Sequence, residues 1–143
     1  MITVQQVFDT AIHLMDEQSE TDGRTLTQDT QEYKYRTLSI LNTAMISLYP
    51  YSDTAYMPTT GRPICPQLYL PENYREPDFT QTIPLDDALA LGVLPYALAS
   101  HLLAGENEEL AAWFRTQYMQ VFSDLRNKVP GEFKPIEAPY GYF

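Results

Sequence analysis

The chain of 143 residues carries nineteen acidic side chains against nine Lys and Arg, a net charge of −10. Its apolar fraction of 44% and aromatic fraction of 13% suffice for one buried core and argue against global disorder. The charge argues against sustained duplex binding, which depends on Lys and Arg at phosphates, and a single cysteine, Cys65, excludes an internal disulfide or a cysteine-based metal cluster.

In chain order, Val4, Val7, Phe8, Ala11, Ile12 and Met15 recur at the spacing of one helix face. Thr3 with Gln6 forms a capping box, so a helix over 3–16 is predicted. The polar stretch 16–29 follows, with Gly23 as its turn signal. A second helix is predicted over 29–48, with Tyr33, Thr37, Ile40, Leu41, Ala44, Met45 and Leu48 inward, ending at Tyr49-Pro50. Residues 50–84 then hold seven of the eleven prolines and lack a helical period. That length is too great for a passive connector, so it reads as a projecting loop or β-hairpin, in which 64–70 and 79–83 are able to pair.

Residues 85–127 carry the clearest pattern. Ala88, Leu91, Leu94, Leu98, Leu102 and Leu103 predict a helix over 86–104, capped by Asp86 or Asp87. Pro95 predicts a kink or break, and Gly105 suits a left-handed helix end. Asn107 then caps a helix over 107–127, with Leu110, Trp113, Phe114, Tyr118, Val121, Phe122 and Leu125 inward. The short link folds these two helices into an αα-hairpin. Val129 to Phe143 holds three prolines and two glycines, which forbid a helix. The expected architecture is mainly α: a small four-helix domain over 1–128, a long Pro/Tyr-rich loop or β-hairpin insertion, and an extended C-terminal arm over 129–143.

Catalytic and metal chemistry find little support. Residues 18–29 loosely echo a calcium-binding loop, yet the first ligand would be Gln18 and the last Asp29, so a solvated acidic turn is the stronger reading. His13 and His101 lack partners in sequence, Cys65 lacks an activating neighbour, and the acid pairs at Asp86-Asp87 and Glu108-Glu109 sit where helix starts explain them. No phosphate loop or hydrolase motif occurs. The chain is therefore expected to be no enzyme and to need no cofactor or metal. The aromatic stripe from Trp113 to Phe122 reads as core. No apolar run approaches the roughly 20 residues of a membrane span, and residues 1–16 lack a secretory pattern. These features predict no membrane partner and a place in the cytoplasm or in a particle assembled there. The sharper signal is tyrosine among stiffening prolines, a composition favoured at protein interfaces. Tyr51, Tyr56, Tyr69 and Tyr74 in the loop, and Phe133, Tyr140, Tyr142 and Phe143 in the arm, are the candidate interface residues.

The stretch PLDDALALGVLPYALASHLLAGENEELAAWFRTQYMQVF at 84–122 and the closing IEAPYGYF resemble the head-to-tail connector (adaptor, head-completion) proteins of tailed bacteriophages and prophages. The resemblance implies a structural virion protein at the head–tail junction, made in the host bacterial cytoplasm. It implies a ring, usually twelve-fold, of neighbouring copies under the portal protein, extending the DNA channel. It also implies docking of a downstream head-completion or tail protein, with double-stranded DNA passing unbound. The alternative from the residues alone is a stand-alone helical protein-binding or regulatory module.

Overall fold

Thr3 begins the first helix, α1 (Val4–Met15), with the capping box the sequence predicts. The Gln6 amide donates to the Thr3 hydroxyl at 3.2 Å, and the Thr3 amide donates to the Gln6 side-chain oxygen at 2.8 Å. The two preceding amides of this helix turn are also taken. Val4 donates to the Gln81 carbonyl at 2.9 Å and Gln5 to the Phe79 carbonyl at 3.0 Å. Donors that a helix start ordinarily leaves to water are thus satisfied by a returning segment far along the chain. The computed structural model describes residues 1–17, 19–52, 67–71 and 76–127.

The remaining helices are α2 (Gln31–Leu48), α3 (Asp87–Gly92), α4 (Leu94–Leu103) and α5 (Glu108–Asn127), with a 3₁₀ turn at Tyr49–Tyr51 after α2. The mainly helical architecture follows the predicted order, and the third predicted helix is two. It breaks at Val93, two residues before Pro95. Pro95 occupies the first turn of α4, where its missing donor is harmless. The break resets the helical phase. Leu89, Ala90 and Val93 turn inward, whereas Ala88 is exposed and Leu91 is 39% exposed, contrary to the expected stripe.

Eight of the ten residues of α4 are buried, and it packs against α1, α2, α3 and α5. A helix that is apolar all round belongs in the middle of a bundle. The six predicted core positions of α1 are all buried. On α2, Leu38 is buried and Ile40 only half-buried, so the inward stripe lies slightly round from its predicted position. Gly105 does not take a left-handed conformation; that role falls to Asp16 after α1 (φ 59°) and to Gly23 (φ 74°). The α4–α5 link is closed by the Glu106 and Asn107 amides donating to the Leu103 carbonyl at 3.0 and 2.9 Å. Asn107 caps α5 as predicted, its side-chain oxygen accepting from the Leu110 amide at 3.1 Å.

The expected strand pairing inside the insertion is not what the described residues show. Ile83 donates to the Ile2 carbonyl at 2.7 Å, and Thr82 bridges Thr3 in antiparallel sense. Residues 79–83 therefore pair with the start of the chain, and this isolated bridge is the only β-pairing among the described residues. Residues 64–66 lie outside them. Asp86 starts α3 without a side-chain cap bond. Its amide instead donates to the Ser52 hydroxyl at 3.2 Å, which donates back to the Asp86 carboxylate at 3.3 Å.

Candidate protein-interaction surface

Extended residues have a backbone donor and acceptor that must be paired, and Leu68 and Tyr69 meet this need with side chains. Asn42, buried on α2, donates to the Leu68 carbonyl at 3.2 Å and accepts from the Leu68 amide at 2.7 Å. Gln81 repeats the arrangement one residue on, accepting from the Tyr69 amide at 2.7 Å and donating to the Tyr69 carbonyl at 3.0 Å. Successive residues of an extended chain point their backbone groups to opposite sides, so the two amides grip the segment from both edges. Leu68 is driven into the core, while Tyr69 (65% exposed) and Leu70 (46%) stand outward on a fixed backbone.

Lys34 on α2 pairs with Glu76, which also accepts from the Tyr35 hydroxyl at 3.2 Å. These donors hold the Glu76 carboxyl below its ordinary range, Lys34 first. Tyr51 is 41% exposed, with its ring edge-on to Phe122 at 5.2 Å. It is thus partly used in joining the 3₁₀ turn to α5. Of the predicted interface residues, Tyr51 and Tyr69 are partly or largely open, and Tyr56, Tyr74, Phe133, Tyr140, Tyr142 and Phe143 lie outside the described residues.

The aromatic stripe of α5 divides. Phe114 is 1% exposed and Ala111 is buried beside it, but Trp113 is 52% exposed, which corrects its assignment to the core. Tyr118, Val121, Phe122 and Leu125 are half-buried against the core, and Met119 is 61% exposed. A helix packed mainly through one side leaves the edges of its apolar stripe open.

A short hydrogen bond of 2.5 Å runs from the Tyr33 hydroxyl to the Glu106 carboxylate. Burial, then this carboxylate, pushes the Tyr33 phenol well above its ordinary pKa. Burial also raises the Glu17 carboxyl, helped by Glu106, Asp29 and Asp16. The loop after α1 and the α4–α5 link thus share one region of crowded negative charge.

Of the 18–29 stretch, Gln18 lies outside the described residues and 19–29 form an ordinary turn. Ser19 accepts from the Gly23 amide through its carbonyl at 2.9 Å, and Asp22 pairs with Arg24 at 3.1 Å. Among the described residues no group of three or more His, Cys, Asp or Glu could hold a metal ion. His13 and His101 are both exposed, in the last turns of α1 and α4, and Cys65 lies outside the described residues. No described helix is long and apolar enough to cross a membrane. No protein-family model matches the chain, and no curated protein or solved structure matches it.

Proposed function

We propose that the chain is a structural head-to-tail connector of a tailed bacteriophage or prophage. Copies form a ring beneath the portal, extend the DNA channel and present a docking surface to the next head-completion or tail protein. The observation that carries this reading is the resemblance of the 84–122 hairpin and the IEAPYGYF ending to that family. Two physical features support it. The charge of −10 suits a channel wall past which DNA must slide without being held. The outward Tyr69 and Leu70, fixed by Asn42 and Gln81, offer an interface ridge whose ordering is already complete before a partner arrives. The role is non-enzymatic, and residues 129–143 serve as an arm to neighbouring proteins.

The test is reconstitution with the portal protein of the same phage. Purified chain and portal are mixed and imaged by electron microscopy. The expected result is a ring of copies stacked on the portal, with duplex DNA bound only weakly at physiological salt. Absence of any portal complex, together with a small fixed oligomer bound to another soluble protein, would instead establish the stand-alone binding module.

A further inference from the structure

At the start of α5, Asn107, Glu109, Leu110 and Trp113 line an open cleft of about 430 Å³. We propose that this cleft receives an arginine side chain presented by a partner protein. The surface is independent of the connector reading, since it rests on α5 alone.

The indole is the first reason. Trp113 is the only tryptophan of the chain, and half of it faces solvent. It is not loose, because its ring stands edge-on to the buried Phe114 at 5.0 Å and 77°. A cation over an indole face gains from the ring quadrupole, and a ring already held in place loses little freedom on binding. Exposed tryptophans next to a well-packed neighbour are also the residues that dominate interface energies.

Charge is the second. Glu109 makes no ion pair among the described residues, and Glu108 lies beside it. The Glu109 carboxylate, which lines the cleft, outweighs the fractional positive charge, about half a unit, that a helix start contributes. Arg115, two residues beyond Trp113, projects about 200° round the helix, away from the cleft. The opening is therefore apolar on one wall and anionic on another. A guanidinium fits both: it stacks flat on indole and meets a carboxylate through paired donors, whereas an ammonium does only the second well.

The single tryptophan supplies the assay. N-acetyl-arginine amide is titrated into the full chain while Trp113 emission is followed, alongside its neutral citrulline isostere. Arginine is expected to change the emission saturably in the millimolar range, with citrulline at least fivefold weaker. Glu109→Gln should weaken arginine about threefold, the scale of an exposed ion pair. Trp113→Ala, read by shifts of the 107–112 amides in NMR, should weaken it about fivefold, the scale of a cation–π contact. An unsaturable response, or equal responses to arginine and citrulline, overturns the proposal. So does tighter binding of a synthetic 128–143 peptide than of arginine, which would assign the cleft to the chain's own ending. An emission change on simple dilution would assign it to a second copy, with the same consequence.

Discussion

Replacing Asn42 tests whether one side chain sets the course of the insertion. Asn42→Ala removes both partners of Leu68, a residue only 5% exposed. A buried donor or acceptor left unpaired costs about 1–3 kcal/mol, so two would cost about 2–6. The chain has a cheaper escape, because residues 67–71 can lift away and hydrate, losing the burial of Leu68, about 1.5–3 kcal/mol. The smaller figure governs, so a loss of about 1.5–3 kcal/mol is expected. At this chain length that lowers Tm by roughly 5–10 °C. Asn42→Asp makes the sharper test. The carboxylate still accepts from the Leu68 amide but now faces the Leu68 carbonyl, whose donor is gone. Burial and that carbonyl raise the pKa of the new group in the fold above its unfolded value. Protonation restores a donor, so the deficit relative to wild type should be small below about pH 4 and grow as pH rises through the folded pKa. Thermal melts of the three proteins across pH 3.5–8 decide it. A deficit for Asn42→Ala below about 0.5 kcal/mol, or a pH-independent deficit for Asn42→Asp, refutes the clamp.

Phe114→Ala should cost about 3–5 kcal/mol, as a fully buried ring does, while Trp113→Ala costs no more than about 1 kcal/mol; equal losses in chemical denaturation would contradict the division of the α5 stripe. Glu17→Gln should melt higher than wild type at pH 7, because the raised carboxyl is ionised there against its surroundings, and the gain should vanish near pH 4, where both states hold the proton. A gain that persists unchanged at pH 4 would point to something other than charge. Truncation after Lys128 should leave Tm unchanged yet abolish head–tail joining in a complementation assay; a loss of several degrees, or infectious particles, would place 129–143 within the fold instead.

What the sequence disclosed depended on the range of the interaction. The α1 stripe and the Thr3–Gln6 box were legible because every partner lies within four residues, and helix geometry alone brings them together. The Asn107 cap was legible for the same reason. Ala88 and Leu91 were misplaced because one stripe was counted across the kink or break expected at Pro95, whereas the break at Val93 rotates everything before it. Trp113 was misread because periodicity identifies a stripe but not its covered width, which depends on how much of α5 its neighbours reach. Asn42 and Gln81 carried no local signal at all, since Leu68 and Tyr69 stand 26 and 12 residues away. Of the interface residues, Tyr69 was recognisable from composition, but the device that holds it outward was not.

The anchoring of the insertion has a consequence for how its length bears on folding. Ser52 is fastened to Asp86, Leu68 to Asn42, Tyr69 to Gln81 and Glu76 to Lys34, so both sides of the 53–66 interval are tied to the helical body by side chains outside that interval. Doubling these fourteen residues adds only about 0.6 kcal/mol of closure entropy. By closure entropy alone a change of length there is nearly neutral for folding, whereas a substitution at Asn42 or Gln81 removes described hydrogen bonds. Asn42, Gln81, Lys34 and Asp86 thus form a mount that lies wholly outside the span it brackets.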